Sequence, residues 1–193
     1  MVDDNHAPPG AGYLHVLFIL VTTDRPELTA KFAEYSGVNR FIEGGYPTNF
    51  TNATVTLRLR GELDGKGSEL VLLAQANVGD VSVNYVLTGQ PFRVTPDWSE
   101  QPVTLAPDPR HWQCLGTRHD LTHQYGYGDL ADVLRNVDIS LLLVLFPLDV
   151  APAGPVDGDP HLLRAGRDYP VDQSGLAEGY VSLDEVRIDF AEG

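Results

Sequence analysis

Residues 118–129, RHDLTHQYGYGD, hold the densest set of side chains in the sequence that could do chemistry. His119 and His123 are four residues apart, and on a helix this spacing places both imidazoles on one face, where they can hold Zn²⁺. A zinc site needs a third and usually a fourth ligand, for which His111 and Asp129 are the nearest candidates. The sequence leaves open whether the pair binds a metal or only forms hydrogen bonds at the surface.

An acid–base site is a second interpretation of the same segment. His119 or His123 would act as the base, with Asp120 and Tyr125 beside it, and a histidine–tyrosine pair suits a hydrolase or lyase that acts on a glycan. Paired carboxylates are the usual equipment of glycosidases, but with 27 acidic residues pairs also arise by chance. Spacing along the chain does not establish the geometry that catalysis requires.

The tyrosines favour a third interpretation, a ligand-binding surface. Gly126 and Gly128 alternate with Tyr125 and Tyr127, and glycine lets the backbone turn tightly so that the rings project. An aromatic plane packs against the C–H face of a sugar, while polar neighbours bind its hydroxyls. The predicted ligand-binding residues are Trp98, Arg118, His119, Tyr125 and Tyr127, with Trp112 assigned to the core.

Short apolar runs separated by glycine and proline predict a fold built mainly of strands. Residues 53–61 alternate strictly, with Val55, Leu57 and Leu59 on one face, as in a half-buried antiparallel strand. Residues 138–146 are almost wholly apolar and predict a central strand covered on both faces. The other predicted strands are residues 13–23, 68–76, 81–89, 90–95, 101–107 and 180–190, with hairpin-type turn residues at 61–67.

Helical patterns are scarce. Asp129 can cap a helix over residues 129–137, in which apolar residues recur at helical spacing, and Pro26 can open another over residues 25–37. About eight strands with short turns predict one domain, residues 1–193, folded as an antiparallel β-sandwich of the jelly-roll type. Residues 1–12 are expected to form a flexible tail and residues 148–176 a long mobile loop.

The order of these elements resembles the laminin-B-like domains and, more loosely, the galactose-binding-like jelly rolls that include many carbohydrate-binding modules. The resemblance covers residues 45–190 and consists of loose motifs, and Glu185 stands where the pattern favours Asn. It implies a jelly roll much more strongly than it implies a particular ligand. The matching residues are Trp98, Val103, Leu105, Trp112, Leu130, Val133, Leu134, Val137, Leu183, Asp184 and Val186.

The same resemblance implies a metal. Many galactose-binding-like domains carry a structural calcium, and here Asp184 and Glu185 would supply carboxylate oxygens of the kind that Ca²⁺ prefers. The alternative is that both carboxylates are simply solvated at the start of a hairpin. No other cofactor is predicted.

Charge and composition exclude several classes of protein. A net charge of −14 repels phosphate backbones and anionic membranes, so neither nucleic acid nor a membrane is an expected partner.

Cys114 is the only cysteine, which excludes an intrachain disulfide. Its strand-like surroundings favour a small buried hydrophobe over a nucleophile paired with His111 or His119. Acidic residues near the N-terminus predict a cytoplasmic protein, or a secreted one whose signal has been removed.

Three classes of function therefore stay open. The first is a non-catalytic binding module for a carbohydrate or another small polar ligand, and the second is a small glycan-active enzyme on the same scaffold. The third is an interaction or assembly domain, in which the apolar strand at residues 13–21 or an open sheet edge pairs with another copy or an attached domain.

Overall fold

The computed structural model describes residues 12–25, 38–116, 125–148, 151–158 and 168–191, with the backbone alone at residues 12–17. These parts are mostly β and contain only two short α-helices, α1 (Arg40–Glu43) and α2 (Leu130–Arg135), and a 3-10 turn at Pro109–His111. The strands are β1 (Gly12–Val21), β2 (Thr54–Asp64), β3 (Glu69–Val78), β4 (Val81–Val86), β5 (Ser99–Thr104), β6 (Gln113–Cys114), β7 (Tyr125–Gly126), β8 (Ser140–Leu148) and β9 (Glu178–Asp189).

Six strands form the larger sheet, in the order β1-β8-β3-β4-β6, with β7 added alongside β4. The pairs are antiparallel except β4–β7, which is parallel. In β8 every residue except Pro147 is buried, because β1 and β3 flank the strand and both of its faces are covered. The prediction of a central strand covered on both faces is confirmed.

The smaller sheet has the order β5-β2-β9 and is antiparallel throughout. On β2, Val55, Leu57 and Leu59 are fully buried, which confirms the predicted alternation. The pairing of β2 with β9 shifts between Arg58 and Leu59 and leaves Asp184 without an opposite residue, so β9 has a bulge there.

The turn after β2 differs from the prediction. Residues 61–67 do not close a hairpin, because β2 belongs to the smaller sheet and β3 to the larger one. The turn is tight, with Asp64 accepting from the Lys66 amide at 3.1 Å and Gly65 accepting from the Ser68 amide at 2.8 Å. Glycine-rich turn chemistry predicts a reversal of direction, but it does not determine which strand becomes the neighbour. The hairpin is instead β3–β4, which turns at Gly79.

The predicted strand at residues 90–95 is absent from the described structure, where Phe92 forms only an isolated bridge to Leu70. Side-chain amides take the place of strand pairing here. Gln90 bonds both the amide and the carbonyl of Thr104, and Gln101 does the same for Arg93, at 2.6–3.0 Å. The backbone is therefore satisfied without a β-ladder.

One hydrophobic core contains buried residues of both sheets and of α2. Helix α2 confirms the prediction: Asp129 caps it by accepting from the Ala131 amide at 2.7 Å, and Leu130, Val133 and Leu134 are buried. Each fully buried leucine or valine contributes roughly 1.5–3 kcal/mol through the hydrophobic effect. A second buried cluster comprises Val71, Leu73, Val86, Leu115, Leu142, Val144 and Phe146.

Three predicted segments fall partly outside the described residues. The predicted helix at 25–37 and the tail at 1–12 lie almost wholly there. Of the long loop, residues 151–158 and 168–176 are described, and its two limbs pair through Pro152 and Val171. No helix in the described ranges has the length and apolar character needed to cross a membrane.

Candidate functional site

Four of the predicted site residues, Arg118, His119, Asp120 and His123, lie outside the described residues. Their zinc-binding, catalytic and ligand-binding roles therefore stay predictions. The described part of the segment begins at Tyr125, where β7 joins the larger sheet.

Tyr125 and Tyr127 lie next to each other in the chain but in different surroundings. Tyr125 pairs with Ser82 in the parallel β4–β7 ladder and is half-buried. Tyr127 follows the strand and is 74% exposed, which makes it the most exposed large hydrophobic side chain in the described parts of the chain. The ring most available to a ligand is therefore that of Tyr127.

The ring of Tyr127 lies across Gly116. A Cβ atom added at Gly116 would come within 2.5 Å of Cζ and of the hydroxyl oxygen of Tyr127, far inside normal contact distance. Gly116 also has a φ of +67°, a conformation that strains other residues. The absence of a side chain at this position lets the tyrosine lie against the backbone while most of its surface faces solvent.

Gly126 and Gly128 also have a packing role that was not predicted. A Cβ atom at Gly126 would approach Val81 to 3.1 Å, and one at Gly128 would approach Val83 to 2.9 Å. These glycines allow the backbone of the tyrosine segment to pack closely on valine side chains of β4. Both glycines therefore help the segment to lie close against the sheet.

Tyr85 of β4 is hydrogen-bonded to the backbone of the segment. Its hydroxyl donates to the carbonyl of Gly128 at 2.8 Å, and burial, with a smaller effect of Cys114, raises its pKa. Burial likewise raises the pKa of the Cys114 thiol. The nucleophile would be the thiolate, so a raised pKa disfavours the catalytic interpretation of Cys114.

Trp98 lies beside the smaller sheet. It precedes β5 and is 37% exposed, and the guanidinium carbons of Arg58 and Arg60 lie 4.9 and 4.7 Å from its ring centroid. The structure therefore does not bring Trp98 together with Tyr125 and Tyr127. Trp112 is buried and donates its indole N–H to the carbonyl of Ala106 at 2.9 Å, which confirms its assignment to the core.

The two carboxylates of the predicted calcium site have basic partners. Asp184 forms an ion pair with Arg58, and Glu185 lies 3.9 Å from Arg187. Within the described residues, no three histidine, cysteine, aspartate or glutamate side chains gather into a group that could hold a metal. Calcium binding by Asp184 and Glu185 stays a prediction that needs ligands from elsewhere.

The contacts of Arg58 and Arg60 with the predicted site residue Trp98 were missed by sequence reasoning. Strict alternation of residues 53–61 places both on the polar face of β2, so their common direction is readable from the sequence. Their contact with Trp98 is not readable, because it depends on the pairing of β2 with β5, some forty residues later. The ion pair with Asp184 likewise depends on the pairing with β9.

Comparison of the chain with protein-family models, with curated proteins and with solved structures found no match.

Proposed function

We propose that this protein is a non-catalytic binding module whose ligand is a carbohydrate. The observation that carries the proposal is Tyr127, a ring that is largely open to solvent and is held against the backbone at Gly116. A single exposed tyrosine is common on protein surfaces. A ring seated on a glycine that cannot be replaced without a clash is a better basis for recognition, because less side-chain freedom is lost on binding.

The chemistry of the segment suits a sugar. One ring face can pack on the apolar C–H face of a pyranose, and the hydroxyl of Tyr127 can donate or accept a hydrogen bond at its edge. Arg118 and His119, close in sequence, are proposed to bind the sugar hydroxyls. The proposal includes a jelly roll of the galactose-binding-like type, and the core shared by the two sheets supports it.

Replacement of the ring tests the proposal. Glycan-array screening followed by titration calorimetry should identify a ligand, and Tyr127→Ala should weaken its binding by about tenfold or more, equivalent to ~1.4 kcal/mol. Tyr46→Ala is the matched control, since Tyr46 is also a largely exposed tyrosine but lies outside the segment. Equal affinity of the Tyr127 and Tyr46 variants would show that the site is elsewhere.

An assay for glycan cleavage distinguishes an enzyme from a binding module. If the protein cleaves a glycan bound at this segment, by hydrolysis or by elimination, His119→Ala or His123→Ala should abolish product formation while glycan binding persists. If the protein is a binding module, neither the unmodified protein nor either histidine variant should release a product.

One observation favours assembly as a second function. Strand β1 ends the order of the larger sheet among the described strands, and Ile19 on it is exposed. An edge strand with an exposed apolar residue can pair with the same strand of another copy. Light scattering should then show a dimer that Ile19→Lys dissociates, and a monomer at all accessible concentrations would contradict this function.

A further inference from the structure

The outward face of the smaller sheet carries a cluster formed by Arg58, Arg60 and Trp98. The two arginines are two residues apart on β2, so they extend from the same face of the strand. Both guanidinium groups lie within 5 Å of the centroid of the Trp98 ring, at 4.9 and 4.7 Å. At this distance the positive charge of each guanidinium group is attracted to the ring, and the attraction restrains the motion of the arginine side chain.

The two arginines differ in their charge partners. Arg58 forms an ion pair with Asp184, whereas Arg60 has no ion pair or hydrogen bond with any side chain in the part of the chain that the structure describes. This is unexpected in a protein with 27 acidic and 13 basic residues. The residue opposite Arg60 on β9 is Ser182, which cannot neutralise it.

An arginine in contact with an aromatic ring keeps its hydrogen-bonding capacity. The ring contact uses no hydrogen bond, so the N–H donors of the guanidinium group stay available for the two oxygens of a carboxylate or a sulfate. Because the indole already restrains Arg60, less conformational freedom is lost when an anion binds. An oxyanion would therefore suit the position of Arg60.

The acidic residues on the same face limit what can bind. Glu62 follows Arg60 on the same side of β2, and Glu100 lies opposite Arg58 on β5. These carboxylates repel a densely charged polymer, so a ligand with isolated negative groups is favoured over nucleic acid. Trp98, still 37% exposed, offers apolar surface beside the anion.

We propose that Arg58, Arg60 and Trp98 form a binding site for the oxyanion of an acidic glycan, either a uronate carboxylate or a sulfate ester. Arg60 donates two hydrogen bonds to the anion, and the indole of Trp98 contacts the sugar ring that bears it. The identity of the ligand as a glycan rests on the proposed function, whereas oxyanion binding at Arg60 does not.

Tryptophan fluorescence offers a direct measurement, because Trp98 is exposed and Trp112, the other tryptophan, is buried. A neutral oligosaccharide that ends in a single uronic acid supplies the carboxylate, and its methyl ester is the neutral counterpart of the same length. An oligosaccharide with a single sulfate ester and its unsulfated form are the sulfate pair. We expect an acidic oligosaccharide to change the emission of Trp98 and to protect it from quenching by acrylamide, while its neutral counterpart does neither. Added salt should weaken both effects of the acidic oligosaccharide. The member that binds identifies the anion.

Variants of Arg60 separate charge from geometry. Arg60→Lys should weaken binding of the acidic oligomer about tenfold, because lysine keeps the charge but loses the paired donors, and Arg60→Gln should abolish it. Arg187→Gln is the matched control, since Arg187 is on the same sheet but lies 3.4 Å from Asp189. Unchanged affinity of Arg60→Gln, or equal binding of acidic and neutral oligomers, would overturn the proposal.

Failure of this proposal is distinguishable from failure of the proposed function. Glycan binding that depends on Tyr127 but not on Arg60 would refute the oxyanion site and leave the carbohydrate module intact. Conversely, inorganic sulfate that shifts the Arg60 Nε–H resonance, with no oligosaccharide bound by any variant, would support the oxyanion site and refute its assignment to a glycan.

Discussion

At the scale of single residues, the position of the Tyr127 ring depends on the absence of a side chain at Gly116. The ring and the glycine are eleven positions apart, and the close approach between them leaves no room for a Cβ atom. Arg60 likewise depends on residues far away in the chain, because the strands that pair with β2 determine which carboxylates lie close enough to form an ion pair with it. In both cases the chemical type of the residue is visible in the sequence, while its accessibility is set by another part of the chain.

We predict that Gly116→Ala weakens carbohydrate binding nearly as much as Tyr127→Ala, because the added methyl group displaces the tyrosine ring. Gly79→Ala is the control: Gly79 also has a positive φ, +60°, but a Cβ atom there would meet nothing within 4 Å. Both variants should lose about 1 kcal/mol of stability from backbone strain. Titration calorimetry should detect lost affinity only for Gly116→Ala, and equal affinities for the two would contradict the role of the contact.

Cys114 should react slowly with thiol reagents in the native protein. Its pKa is raised by burial, so the reactive thiolate becomes abundant only at a higher pH than for a free cysteine. We expect a rate at least about tenfold lower than that of the protein unfolded in guanidinium chloride, measured with a chromogenic disulfide at mildly alkaline pH. A native rate equal to the unfolded one would revive Cys114 as a candidate nucleophile.

At the scale of elements, the strands were the most predictable features. Alternation in β2 and the apolar run of β8 follow from which faces must be buried, and the structure confirms both. The order of the strands was less predictable. The turn at residues 65–68 leads from one sheet to the other, although its sequence is equally suited to a hairpin within one sheet.

The cap of helix α2 gives an element-scale prediction. Asp129→Ala removes the acceptor for the Ala131 amide and should lower the free energy of unfolding by about 1 kcal/mol. Asp129→Asn should restore most of this stability, since asparagine caps helices equally well. Urea denaturation followed by circular dichroism would measure both, and equal loss in the two variants would indicate that the negative charge, not the cap, matters.

At the scale of the whole molecule, the net charge of −14 should oppose folding through mutual repulsion. Sodium chloride screens this repulsion, and we predict that raising it from low to physiological ionic strength increases Tm by about 2–4 °C, equivalent to roughly 1 kcal/mol for a chain of this size. Differential scanning calorimetry would show the shift. A Tm that falls with salt would mean that ion pairs outweigh repulsion.

The same measurement tests the predicted calcium site. After treatment with a chelator, millimolar CaCl₂ at an ionic strength held constant with NaCl should raise Tm only if a specific site exists. Asp184→Asn should remove the effect if Asp184 is a ligand. No shift in the unmodified protein would refute the site.

The sequence by itself determined the β-rich class, the faces of the main strands, the capped helix and the aromatic candidates, because these depend on local periodicity and side-chain chemistry. Tertiary structure alone decided that Trp98 precedes a strand of the smaller sheet and Tyr127 follows a strand of the larger one, and that Trp98 meets Arg58 and Arg60. Those contacts join residues far apart in the chain. Their geometry depends on which strands pair, and pairing is selected by the packing of the whole core rather than by any local pattern.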